Sequence, residues 1–144
     1  MSEQRNQQAY QITWLIRRLF RAMASEADRY LADAELSAAD RAVMEFLYPD
    51  IELSVPEIAR RYNVSRQHVQ VTVNALCARG LLRRIENPKH KRSRLIRLSE
   101  PGRNTFAEIR RNEAVIVERL FNSVSHAALE TTHTTLTKLL QQLT

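Results

Sequence analysis

A single cysteine, two glycines and four prolines in 144 residues limit what this chain can be. Cys77 alone closes no intramolecular disulfide and cannot by itself supply a thiolate metal site. Two glycines leave few positions for backbone-lined catalytic turns, and there is no Gly-rich phosphate loop, no His-Glu-x-x-His and no nucleophile elbow. An enzyme is therefore not expected, and no cofactor is. The histidines, His68, His90, His126 and His133, are scattered. His126 and His133 share a helical face, but two imidazoles without acidic or thiolate companions make a poor metal site. No apolar run approaches the roughly 18 to 20 residues that span a bilayer. The polar start from Met1 to Gln8 lacks the apolar core of a signal peptide. The expectation is a cytoplasmic protein with no membrane partner. Internal repeats and low-complexity linkers are also missing.

What is present is a globular composition, 44% hydrophobic and 26% charged, with too little Gly and Pro for a loop-rich fold. One folded unit, mainly α, is expected. The formal net charge of +6 is unevenly placed. Arg60 to Arg97 holds eleven basic residues and one acid, Glu86, whereas the rest holds eleven basic and fifteen acidic residues. Segregated positive charge is what a surface needs if it is to displace counterions from nucleic-acid phosphates. The plainer reading is a solvated basic face.

Apolar residues recur at helical spacing from Gln8 to Ala32, giving a long amphipathic helix whose stripe needs a partner. Ser37 and Asp40 start a second helix, which Pro49 stops. Ser54-Val55-Pro56-Glu57 has capping-box spacing and starts a third. After Asn63-Val64, Ser65 starts a fourth that reaches Arg79 and stops at Gly80. Two short helices around a tight turn make a helix-turn-helix. Leu81–Glu86 and Ser93–Leu98 then form two short strands around a basic tip, Asn87 to Arg92, which makes a wing. Ser99-Glu100-Pro101-Gly102 and Ser125 open two further helices with apolar sides. Tyr10, Trp14 and Phe20 supply packing area in a core or dimer interface, or line a ligand cavity.

On the fourth helix Val69, Val73 and Leu76 share the inward face, which leaves Gln67, Gln70, Val71, Asn74 and Ala78 outside. Gln and Asn can bond adenine bidentately, and Val71 can meet a thymine methyl. Arg66, near the helix start, suits a phosphate or a guanine. Ser54 and Ser65 cap helices and could also present backbone amides to phosphate. Lys89, Lys91 and Arg92 at the tip can reach a minor groove. Arg83, Arg84, Arg94 and Arg97 flank the wing as phosphate contacts, or stay solvated or paired with acids. Cys77 is a small packing residue or, alternatively, a redox switch beside the DNA face.

The order of long helix, helix, helix-turn-helix, wing and long helices resembles the MarR family of transcriptional regulators over nearly the whole chain. The most specific stretches are Ala75-Leu76-Cys77-Ala78-Arg79-Gly80-Leu81-Leu82, then Asn87-Pro88 and Lys91-Arg92, then Leu98-Ser99-Glu100-Pro101-Gly102. The resemblance implies one domain over 1–144, with a helical dimerisation lobe from about 8–35 and 104–144 and a DNA-binding lobe of about 36–103. It implies a bacterial repressor that binds a pseudo-palindromic operator in double-stranded DNA as a homodimer. Arg92 matches the wing arginine that enters the minor groove. His90 stands where the family commonly has Asp, so an acid that would orient that arginine is missing. The resemblance also implies a small aromatic or phenolic anion as effector that releases DNA, though no residue identifies it. The rival reading is a winged-helix protein-interaction module that does not bind DNA.

Overall fold

The computed structural model describes residues 2–144, so Met1 at the polar start lies outside it. Helix α1 (Glu3–Asp33) begins five residues before the apolar periodicity does. Ser2 caps it by accepting the Arg5 amide at 3.3 Å, and Glu3 places an acid in the first turn. Gln4, Arg5 and Gln7 are good helix formers, which extend the helix without adding to its stripe. The stripe itself is exposed: Tyr10, Ile12, Trp14, Leu15, Ile16, Leu19, Phe20 and Met23 all face solvent, while Leu31 is buried.

The chain divides into two compact units, one up to Ala38 and one over Ala39–Thr144. The second runs from α2 (Ala38–Leu47) through β1 (Leu53–Ser54), α3 (Val55–Tyr62), α4 (Arg66–Ala78), β2 (Leu82–Ile85), β3 (Leu95–Leu98) and α5 (Glu100–Phe121) to α6 (His126–Leu143). Expected caps are found at Ser54, Ser65, Ser99 and Ser125, each accepting a backbone amide in the first turn. Each is worth about 1 kcal/mol. Gly80 ends the fourth helix at φ +74, in the left-handed region that glycine enters without steric cost.

The sequence suggests a two-stranded wing; the sheet has three antiparallel strands in the order β1–β3–β2. Leu53 pairs with Ile96, Leu82 with Leu98 and Arg84 with Ile96. Leu53, Leu82, Ile96 and Leu98 are all buried, so β1 secures the second edge of β3 by packing as much as by hydrogen bonds. Met44, Leu47, Ile58, Val69, Val73, Leu76, Leu98, Phe106 and Ile109 form the core beneath, nearly or fully buried. Each contributes about 1.5–3 kcal/mol through burial.

Helix α5 enters this core through a tight crossing. The Ser99 hydroxyl donates to the Gly80 carbonyl at 2.6 Å and accepts the Gly102 amide at 3.0 Å, while the Ser99 amide donates to the Leu81 carbonyl at 3.1 Å. Further along, the Arg41 guanidinium makes two hydrogen bonds to the Glu113 carboxylate, at 2.5 and 2.7 Å, tying α2 to α5. Beyond that point α5 and α6 expose Val115, Val117, Leu120, Phe121, Leu136, Leu139, Leu140 and Leu143. No helix among the described residues is long and apolar enough to cross a membrane.

Candidate nucleic-acid interface

Two elements create the site, and local sequence builds both. Ser54 and Glu57 close the capping box that starts α3: the Ser54 hydroxyl accepts the Glu57 amide, and the Glu57 carboxylate accepts from the Ser54 amide. Asn63 ends α3 in the left-handed region, at φ 57, and turns the chain at once into Ser65. Asn tolerates this conformation better than most residues. Ser65 accepts the His68 amide at 3.0 Å and opens α4. The result is a helix-turn-helix whose second helix packs Val69, Thr72, Val73 and Leu76 inward.

Arg66, Gln67, His68, Gln70, Val71, Asn74 and Ala78 remain exposed along the rest of α4. Val71 keeps 64% of its surface, a high exposure for an apolar side chain with no packing role. Ser65 is exposed with this group, but Ser54 is not: it is 5% exposed and its hydroxyl is engaged with Glu57. Of the two capping serines, only Ser65 lies on the surface.

Strand alternation sorts the wing arginines. Leu82 and Arg84 share one face of β2, and Arg83 lies on the other, opposite Arg97 of β3. Like charges so opposed repel. Arg97 is compensated by Glu52 at 3.4 Å and Asp50 at 3.8 Å, and Asp50 also pairs with Arg103 at 3.4 Å. For Arg97, pairing with acids is therefore the reading that holds. Arg84 points toward α4 instead: its guanidinium donates to the Asn74 side-chain oxygen, which also accepts from Gln70 Nε2 at 2.9 Å. Among the described residues no acid pairs with Arg66, Arg84, Lys89, Lys91, Arg92 or Arg94, and all six are exposed.

The tip is ordered by a residue that the charge pattern does not reveal. Asn87 is buried; its side-chain amide donates to the Ser93 carbonyl at 3.0 Å and its side-chain oxygen accepts the Lys89 amide at 3.1 Å. The His90 amide donates to the Asn87 carbonyl, and the Ser93 amide to the His90 carbonyl. Asn87 thus closes an Asx turn and pins the far side of the loop. The Asn-Pro dipeptide was the available signal. These bonds order the tip backbone on both sides of His90 without a carboxylate.

Cys77 is half-buried, and burial pushes its thiol up from the ordinary range, an effect only partly opposed by nearby Arg84. A raised pKa leaves little thiolate at neutral pH, which favours the packing reading over a redox switch. Iodoacetamide at pH 7.5 is expected to alkylate Cys77 more slowly in the folded protein than in the urea-unfolded chain. Equal or faster reaction in the folded state would revive the switch. No group of three or more potential metal ligands occurs among the described residues.

Comparison with known proteins agrees with this architecture. A model of the MarR family matches residues 34–93. An uncharacterised protein of Mycobacterium tuberculosis H37Rv is 38% identical over 94 residues, 65% of this chain and 66% of that protein's own length. The uncharacterised HTH-type transcriptional regulator YpoP of Bacillus subtilis strain 168 is 24% identical over 127 residues, 88% of this chain and 89% of that one. The crystal structure of the transcriptional regulator BldR from Sulfolobus solfataricus superposes with a TM-score of 0.84, at 23% identity and 99% coverage of both chains.

Proposed function

We propose that the chain is a MarR-family transcriptional regulator that binds duplex DNA sequence-specifically as a homodimer, a reading supported by the family model matched at residues 34–93 and by the fold shared with BldR. The observation that carries this reading is the coincidence of an exposed polar face on α4 with a wing tip whose three cations have no acidic partner among the described residues. In this reading α4 enters the major groove, where amide side chains discriminate bases, and the tip reaches the flanking minor groove. Ser65, Arg66, Gln67, Gln70, Val71 and Asn74 act from the helix, and Lys89, Lys91 and Arg92 act from the tip. Arg94 binds phosphate. Ser54 contributes through the helix that it caps.

The exposed stripe of α1 and, in the other unit, the exposed leucines of α5 and α6 are each covered by a second copy, so the dimerisation segments are about 8–35 and 104–144. Apolar faces of this length are stabilised by burial between two copies. The regulator is a cytoplasmic repressor that reads a pseudo-palindrome, and a small aromatic or phenolic anion releases it.

The test is binding of fluorescent duplexes, selected from a random library, across a salt series, with sedimentation velocity on the same samples. A dimer whose log affinity falls steeply with log salt is expected, with selected duplexes preferred over random ones. A protein that binds no duplex at low salt belongs to the rival class of protein-interaction modules.

A further inference from the structure

The hydrogen bonds between α4 and the wing fix the orientation of two amides that are normally ambiguous. Oxygen and nitrogen of an Asn or Gln side chain are assigned from their partners. A guanidinium only donates, so the Asn74 atom that faces Arg84 must be Oδ1. Gln70 meets that same oxygen, so it must present Nε2. One arginine on β2 thereby sets the polarity of both side chains in sequence. Both lone pairs of Asn74 Oδ1 are taken, which leaves Asn74 with its Nδ2 donors, while Gln70 keeps Oε1 as a free acceptor. Asn74, its oxygen doubly engaged, can then no longer bond adenine bidentately by itself, while Gln70 keeps beside Oε1 the one Nε2–H that Asn74 does not take.

From this geometry, and resting on the DNA-binding reading above, we propose that Arg84 is a positioning residue that divides the reading of one adenine between two side chains. Asn74 Nδ2 donates to N7 and Gln70 Oε1 accepts from the N6 amino group. Adenine alone offers an acceptor beside a donor in this order at its major-groove edge; guanine offers two acceptors, which Gln70 Oε1 would repel. Arg84 acts from the core-facing side of the wing strand, because Leu82, two residues earlier on the same face, is buried. Specificity in the helix thus depends on a residue that strand pairing holds in place.

The test uses the full chain and a duplex selected from a random library. At each preferred adenine the base is replaced by 7-deazaadenine, which lacks the N7 acceptor, or by purine, which lacks the N6 amino group. At one position the wild type should lose about tenfold in affinity with either analogue. Gln70→Ala should become indifferent to purine while keeping its loss on 7-deazaadenine, and Asn74→Ala should show the reverse. Arg84→Ala should shrink both losses, and Arg84→Lys, which keeps a donor, should restore part of them. Because Arg84 is exposed, unchanged thermal unfolding of its variants shows that the fold is intact. If either Gln70→Ala or Asn74→Ala alone removes both losses and the other variant removes neither, one side chain reads the base unaided and the proposal is wrong. It is equally wrong if Arg84→Ala weakens every duplex alike and leaves the analogue losses unchanged, the mark of a phosphate contact. A wild type that enriches particular duplexes but is insensitive to both analogues overturns this proposal and spares the function; a wild type that binds no duplex overturns both.

Discussion

Gly102→Ala is expected to lower the unfolding free energy by about 3 kcal/mol, at the upper end of what overpacking ordinarily costs. A Cβ added there would lie 1.9 Å from the Leu81 carbonyl oxygen and 2.9 Å from its carbon. The obstacle is backbone, not the end of a flexible side chain. That carbonyl also accepts the Ser99 amide, so displacing it breaks a buried hydrogen bond where α4, the wing and α5 meet. The melting temperature should fall by about 10 °C. The chain's other glycine provides the contrast. A Cβ at Gly80 meets nothing within 4 Å, but its φ of +74 costs an alanine about 1 kcal/mol. Urea unfolding of both variants checks the ranking, and a Gly102→Ala protein as stable as the Gly80→Ala protein would show that α5 shifts freely at its start.

Replacing Lys89, Lys91 and Arg92 together by alanine is expected to produce the largest change in DNA binding. If each neutralises one phosphate, the slope of log affinity against log salt becomes shallower by about 2.7. Between 50 and 200 mM salt that removes roughly 40-fold of the affinity change. Arg92→Ala alone should account for about one unit of the slope and for the preference for A·T pairs flanking the half-site. The Asn87 network uses the side chain of none of the three, so the loop should keep its shape and the unfolding transition should not move. Anisotropy titrations at several salt concentrations measure the slope; an unchanged slope would falsify the assignment of the wing tip to phosphate and groove contacts.

Local signals made much of this molecule legible. The helix starts at Ser54, Ser65, Ser99 and Ser125 and the stop at Gly80 depend on one or two turns of chain, and the structure has all of them. The inward face of α4 followed from a period of 3.6 residues over thirteen residues. Three features did not follow, each for a physical reason. The two-residue strand Leu53–Ser54 carries no alternation of its own and exists only by pairing with residues more than forty positions away. Beginning a helix at Gln8 overlooked five polar residues that propagate the helix without an apolar stripe. The bond from Arg84 to Asn74 joins strand to helix across ten residues, and no periodicity connects them. Of the candidate DNA contacts, Ser54 is the one that fold geometry removes from the surface: it is buried in β1 beside β3, and its hydroxyl is engaged by the Glu57 carboxylate.

Asp50 and Glu52 neutralise Arg97, and Asp50 also holds Arg103, while the cations of the wing tip and of the α4 start have no acid beside them among the described residues. The excess positive charge of Arg60 to Arg97 is therefore uneven across the lobe. A body with lopsided charge experiences torque as well as attraction in the field of a polyanion. If the proposed DNA binding holds, such a body turns as it approaches, and a larger share of first encounters places the uncompensated side against the duplex than random tumbling would give. In that proposed encounter the two acids that quiet the Arg97 face of the sheet help to aim the protein without touching its target.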